Sequence, residues 1–332
     1  MDILVTGAAG LVGADLCARL RARGHRVTGL VHRRSADGDT VTGDVGVPGL
    51  GIDLRPELVV HCAAITAFDA APDAYASVNV GGTANVVAFA QKVGAPMLHV
   101  STAYVCGTRD GRIGEGDVGD AFVNGYEASK AEAEALVRAS AVPWTIVRPS
   151  VVVGDSACGA ITSFDNIYLI FRLIAERRVR TLPATPDATL DLVPIDHVGR
   201  GLVALAETPA PGTTVHLTAA TPTRIDDLGA AIAAVPGLGH PRFVAPADFD
   251  LAALPPAERR WHAAAAALYT SYLTRAPLFD QANARRLVPP CPPTDRAWLD
   301  RLIAYCLDKG FVTAKPLNEC RDNAIPAASG GC

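Results

Sequence analysis

An α/β fold of the Rossmann type is predicted here: a doubly wound parallel sheet with a smaller C-terminal α+β substrate lobe. Three observations predict it. Short apolar runs alternate with amphipathic helix patterns through the first half of the 332 residues, a glycine-rich turn follows the first run, and the rhythm changes beyond about residue 155. Strands separated by amphipathic helices mark βαβ units, whose parallel sheet is covered on both faces.

Taken in order, strand-like runs fall at Ile3–Thr6, Arg26–Val31, Leu58–Cys62, Met97–Ser101 and Trp144–Val147. Helix patterns lie between them at Leu11–Arg23, Ala74–Val93 and Gly125–Ala139. Later come helix patterns at Phe164–Arg178, Asp196–Glu207, Ile225–Val235 and Asp295–Lys309, with short strands near Arg180–Leu182, Leu190–Pro194 and Thr214–Leu217. Proline-rich breaks at 209–211, 255–256 and 289–293 punctuate this half. The expected organisation is a nucleotide-binding domain over 1–155, a substrate lobe over 156–312 that returns some strands and helices to the first domain, and a tail over 313–332.

Composition excludes several classes. With 49% hydrophobic residues, most of the chain can bury a core and disorder is excluded for it. A formal charge of −4 supplies no basic face for nucleic acid. No apolar run reaches the roughly 18 uncharged residues of a membrane span. The first strand pattern begins at Asp2, leaving no place for a signal sequence, so a cytoplasmic location is expected. The eight cysteines form no CxxC pair and no zinc-type spacing, so they are expected to be reduced and structural, with no metal site.

The turn after the first strand reads Thr6-Gly7-Ala8-Ala9-Gly10-Leu11-Val12-Gly13. Gly7 permits a tight turn, Gly10 lets the backbone approach a pyrophosphate, and Gly13 lets the helix pack close to the sheet. The helix N-terminus then offers free N–H groups and a positive dipole end to the phosphates. Gly7, Ala9, Gly10, Leu11 and Val12 are the candidate contacts. A dinucleotide is therefore expected, and the end of the second strand selects which one. An NAD site needs an acidic residue there, whereas this chain reads Val31-His32-Arg33-Arg34-Ser35. Two guanidiniums suit a 2′-phosphate, so Arg33 and Arg34 indicate NADPH (NADP+).

Tyr126-Glu127-Ala128-Ser129-Lys130 places a phenol and an ammonium four residues apart on one helix face. Only four lysines occur in the chain, so abundance does not explain the pairing. A nearby cation favours phenolate, which would bring Tyr126 into range as a proton donor or acceptor. Lys130 can also hold the nicotinamide ribose. At the carboxyl end of the Met97–Ser101 strand a hydroxyl can reach a substrate carbonyl; Thr102 is the first choice, with Ser101 the second and a candidate cofactor contact.

With these motifs in hand, the glycine pattern TGAAGLVG, Asp44-Val45, Cys62-Ala63-Ala64, STAYVCG, YEASK and RPSVVVGD resemble the extended short-chain dehydrogenase/reductases over roughly residues 1–200. HVSTAYVCG and Arg148–Ser156 are most similar to the thioester-reductase and fatty acyl-CoA reductase branch, as are FDQANARRL (279–287) and the final helix near DRLIAYCLDKGF. The resemblance implies that Asp44 and Val45 contact the adenine. It implies that Ala63 and Ala64 lie along the cofactor, with Pro149, Ser150, Val151 and Val152 beside the nicotinamide. Asn79 is expected to tie helix to sheet rather than touch substrate. A homodimer through the YEASK helix is one assembly that this fold adopts.

Four readings follow. The first is NADPH-dependent reduction of an acyl thioester, carried on coenzyme A or a carrier protein, to an aldehyde or alcohol. The second is a ketone or aldehyde reductase using the same triad. A nucleotide-sugar epimerase or dehydratase is opposed by Arg33-Arg34 and by the few charges of the second half. A non-catalytic NADP sensor would not need the Tyr/Lys pair. In the second half, Asp196 is expected to cap its helix, leaving His197 no relay role. Trp261, Tyr269, Tyr272 and Phe279 are read as core rather than as an acyl pocket.

Overall fold

In the computed structural model, residues 1–32 and 38–314 are described. Seven strands form one parallel sheet: β1 (Asp2–Thr6), β2 (Arg26–Val31), β3 (Thr40–Thr42), β4 (Leu58–His61), β5 (Met97–Val100), β6 (Trp144–Pro149) and β7 (Thr213–Leu217). Their spatial order is β3-β2-β1-β4-β5-β6-β7, with parallel pairing at every step. The order reverses between β1 and β4, and a crevice opens outside the carboxyl ends of the strands at such a switch point.

Alternation along the strands explains the two covered faces. Leu4, Val59, Met97 and Ile146 point to one side, against Val86 and Phe89 of α2 (Gly82–Val93) and Val137 of α3 (Gly125–Ala139). Ile3, Val5, Val60 and Val147 point to the other, against Leu16 and Leu20 of α1 (Leu11–Ala22) and Val198, Leu202 and Leu205 of α4 (Ile195–Glu207). Helix α4 lies so close to α1 that a Cβ on Gly199 would sit 2.1 Å from the Asp15 carboxylate. Thus β7 and α4, from the second half of the chain, complete the sheet of the first.

A third apolar cluster fills the C-terminal lobe, joining Ile167–Ala175, the 266–273 turn segment and the helix Arg296–Asp308, whose Trp298 is fully buried. Several elements differ from the expected ones. The pattern over Ala74–Val93 divides into a wide helical turn at Tyr75–Gly81 followed by α2. The run Leu190–Pro194 breaks at Asp191 into two short strands, Thr189–Leu190 and Leu192–Pro194, that belong to different sheets. Cys17, Cys62, Cys106, Cys158, Cys291 and Cys306 are free thiols, while Cys320 and Cys332 lie outside the described residues. No helix among the described residues is long and apolar enough to cross a membrane.

Candidate active site

The glycine turn is built by close approach. Gly7 has φ +69°, and a Cβ there would lie 2.6 Å from the Ala63 nitrogen at the end of β4. A Cβ on Gly13 would lie 2.2 Å from the Gly7 carbonyl oxygen. The tight packing that Gly13 permits is therefore against the turn itself, more than against the sheet. Gly10 caps α1 without a side-chain partner, and no acidic residue occupies the first turn. The helix end thus keeps its N–H groups and dipole for an anion.

This turn forms one wall of a cleft of about 380 Å³ at the carboxyl ends of the strands. Gly7, Gly10, Leu11 and Val12 line it together with Ala64, Ser101, Thr102, Tyr126, Lys130, Pro149, Ser150, Val151 and Val152. The expected catalytic trio and most of the expected cofactor contacts therefore converge on one cavity. Ala9 and Ala63 flank the turn without lining the cleft. Asp44 and Val45 also lie outside it. The Asp44 carboxylate faces His32 Nδ1 at 3.2 Å and accepts from the Gly46 amide at 2.7 Å, and the Val45 carbonyl accepts from Asn85 Nδ2 at 2.8 Å. Arg33 and Arg34 lie outside the described residues.

Helix α3 presents Tyr126 from its first turn. Asn124 caps the helix, accepting from the Glu127 amide at 2.9 Å, and the Glu127 carboxylate reaches back to the Val123 amide at 3.2 Å. One turn on, Lys130 is buried and its Nζ donates to the Val100 carbonyl at 2.8 Å, with His99 Nε2 at 3.4 Å. Below it, His61 bridges Thr6 Oγ1 (2.7 Å) and Thr83 Oγ1 (3.1 Å). Burial, aided by the Lys130 charge, holds the His61 imidazole down to about 3, so it is neutral.

The electrostatics correct one expectation. Burial pushes the Tyr126 phenol up to about 12, opposed by a hydrogen bond with Thr102 and reinforced by the Glu127 charge. Lys130 is not among the groups that shift it. The same burial pulls Lys130 down to about 8, against the attraction of Glu134. Desolvation, rather than the Lys130 cation expected to favour phenolate, sets the shift, and Tyr126 holds its proton at neutral pH. The Thr102 oxygen accepts from the Tyr104 amide at 3.2 Å, leaving its hydrogen to donate.

The remaining walls include residues that the sequence pattern did not name as site residues: Thr66, Phe68, Tyr104, Ile161, Ser163, Asp165 and Asn166. Tyr269 and Tyr272 also line the cleft while belonging to the lobe's core, so the reading of them as core alone is corrected. Trp261 lies away from it under Arg178, and Phe279 packs edge-on to Tyr104. Asp196 does not cap α4. Its carboxylate accepts from the Ser156 amide and hydroxyl, both at 2.8 Å, and pairs with Arg200 at 3.1 Å. Asn79 clasps both backbone groups of Ile65 and donates to Ser129 Oγ at 2.9 Å, joining the loop after β4 to α3.

The model of an NAD-binding family described as male sterility protein matches residues 39–202. The chain is 33% identical over 164 residues to a Haloferax volcanii protein named as a probable low-salt glycan biosynthesis reductase, covering 46% of this chain and 54% of that one. It is 26% identical over 233 residues to an Arabidopsis thaliana protein named probable fatty acyl-CoA reductase 4, covering 50% and 47%. The chain spans about half the length of these curated relatives. Among solved structures, the terminal R domain from the myxalamid PKS-NRPS biosynthetic pathway superposes with a TM-score of 0.80 at 25% identity, covering 95% of this chain and 92% of that domain.

Proposed function

We propose that the chain is an extended short-chain dehydrogenase/reductase that reduces the carbonyl of an acyl thioester with NADPH. The observation that carries this reading is the convergence of Thr102, Tyr126 and Lys130 with the glycine turn on one cleft whose far wall is aromatic. Likeness to a protein named probable fatty acyl-CoA reductase 4 supports the thioester as substrate. The choice of NADPH rests on Arg33 and Arg34.

The site fits a dinucleotide. A side chain at Gly7 would fill the turn, and the uncapped start of α1 suits a pyrophosphate. Lys130, anchored by the Val100 carbonyl, would hold the nicotinamide ribose, and Pro149–Val152 would contact the nicotinamide. When bound, NADPH supplies the hydride that the carbonyl carbon accepts.

Tyr126 and Thr102 then act on the oxygen. Thr102 donates a hydrogen bond to it as negative charge develops, and Tyr126, protonated at neutral pH, gives it a proton. The resulting thiohemiacetal collapses with loss of the thiol, leaving an aldehyde. A second round at the aldehyde carbon would give the alcohol.

The test is NADPH oxidation by the purified protein against matched series of acyl-CoA thioesters, aldehydes and ketones, with NADH in parallel and Tyr126→Phe as control. Turnover of thioesters with thiol release, reduced at least about 100-fold in the variant, is expected. Turnover of ketones alone would replace the thioester reading by carbonyl reduction. Full activity in the variant would remove Tyr126 from the chemistry.

A further inference from the structure

We infer that Phe68 is a specificity-determining residue: its ring fills the space beside Tyr126 and limits the size of the apolar group that the cleft admits next to the reacting carbonyl. This rests on the proposal that the cleft reduces a carbonyl, and it adds which part of the substrate the chain measures and with which side chain.

Phe68 sits in the loop that leaves β4. Its neighbours Ala67 and Asp69 are exposed, whereas the Phe68 side chain turns inward, lines the cleft and packs on the lobe's apolar cluster. Its ring lies 5.5 Å from that of Tyr272, nearly parallel at 12°, 5.6 Å from Tyr269 and 6.1 Å from Tyr126. One loop residue thus touches both the proposed proton donor and the lobe that faces it.

The loop is held in this position. On one side Asn79 grips Ile65, accepting from its amide at 2.7 Å and donating to its carbonyl at 3.0 Å. On the other, the Tyr75 hydroxyl donates to the Ala67 carbonyl and accepts from the Ala70 amide at 3.2 Å. Both gripping residues come from the wide helical turn 75–81, an irregularity associated with functional sites. A loop pinned on both sides of an inward aromatic side chain presents a fixed wall.

The chemistry of that wall selects the ligand. The hydroxyls of Tyr269 and Tyr272 are committed elsewhere, to the Asn166 carbonyl (2.8 Å) and the Glu127 carboxylate (2.6 Å). Their rings therefore meet the cleft as apolar surface. Among the described lining residues, Lys130 is the one lysine or arginine and Asp165 the one carboxylate. The group held beside Phe68 is accordingly uncharged and apolar, with its length or bulk bounded by the ring.

The test compares wild type, Phe68→Leu and Phe68→Ala, each loaded with NADP+ so that no hydride is transferred. Calorimetry measures the affinity for butyryl-CoA and for dodecanoyl-CoA. The preference for the longer chain should rise about tenfold in Phe68→Ala and less in Phe68→Leu, since a pocket distinguishes methylenes by about 10- to 200-fold. NADP+ affinity should stay unchanged. An unaltered ratio with tight binding of both ligands overturns the inference while leaving the thioester reading intact. If neither thioester binds but ketones are reduced, the thioester reading fails, and the ratio of kcat/KM for long against short methyl ketones decides on Phe68 by the same criterion. Binding or turnover of neither series overturns both.

Discussion

Lys130 shows most directly how the site departs from what stability alone would choose. Its ammonium is buried with one carbonyl and one neutral imidazole as near partners, and it is pulled to about 8 from an ordinary 10.5. Between those two values the unfolded chain holds the proton and the folded one does not, so stability rises with pH across that window. Below pH 8 the burial cost is present in full, about 3 kcal/mol at 1.36 kcal/mol per pH unit. Lys130→Met should therefore leave the cofactor-free protein more stable at pH 7, by about 1–3 kcal/mol, and remove the gain between pH 8 and 10. Urea unfolding at pH 7 and pH 10 checks both, and activity should be lost. A variant less stable at pH 7 would show that the ammonium's contacts outweigh its desolvation. The pairing of Tyr126 with Lys130 was legible because four-residue spacing on a helix is a local property. Its electrostatics were not, because burial by β5 and the lobe is a property of the fold. Phe68 carried no signal at all, since one aromatic residue in a loop has no period to betray the cleft behind it.

At the scale of elements, the start of α3 is held from across the lobe boundary. Tyr272, in the 266–273 segment, donates to the Glu127 carboxylate at 2.6 Å and accepts from Asn124 Nδ2 at 3.1 Å, both beside Tyr126. Arg275 backs the pair, 3.6 Å from Glu127 and stacked over the Tyr104 and Tyr272 rings. Burial pushes the Glu127 carboxyl up, and the Tyr272 hydroxyl opposes that shift. Tyr272→Phe keeps the ring against Phe68 but leaves a buried carboxylate short of a donor, which costs about 1–3 kcal/mol. Because the missing bond served the charged form, the deficit should grow as pH rises from 5 to 8, which a pair of urea midpoints measures. A fall in kcat without a matching rise in KM would show that the clasp also positions Tyr126. The elements of the first half were legible because each carries its own period and turn. β3 was not, since Thr40–Thr42 is a three-residue edge strand held by register with β2 alone. Likewise the short strand Val151–Val153 pairs with Leu192–Pro194, a long-range match that no local pattern announces.

Over the whole molecule, elements beyond residue 155 are part of the fold of the first half. The sheet's last strand, β7, pairs with β6 over residues 213–217, and α4 covers the face formed by Val5, Val60 and Val147. Polar ties follow the same route. Arg138 of α3 donates to Thr214 Oγ1 of β7 at 2.8 Å, while Glu115 accepts from the His216 and Asn283 amides at 3.1 and 2.7 Å. A chain ending at residue 155 would keep the glycine turn, Tyr126 and Lys130 but would leave bare the part of one sheet face that α4 covers, and Glu115 without those donors. Apolar surface of that extent is not left open in a stable monomer, and a buried charge deprived of partners costs several kcal/mol. Residues 1–155 alone should therefore bind the dye ANS, unfold without a cooperative transition and fail to bind NADP+, although every residue of the candidate triad is present. A cooperative, NADP+-binding fragment would instead establish the first 155 residues as an autonomous domain. The β7 and α4 contacts would then be docking surfaces rather than parts of its core.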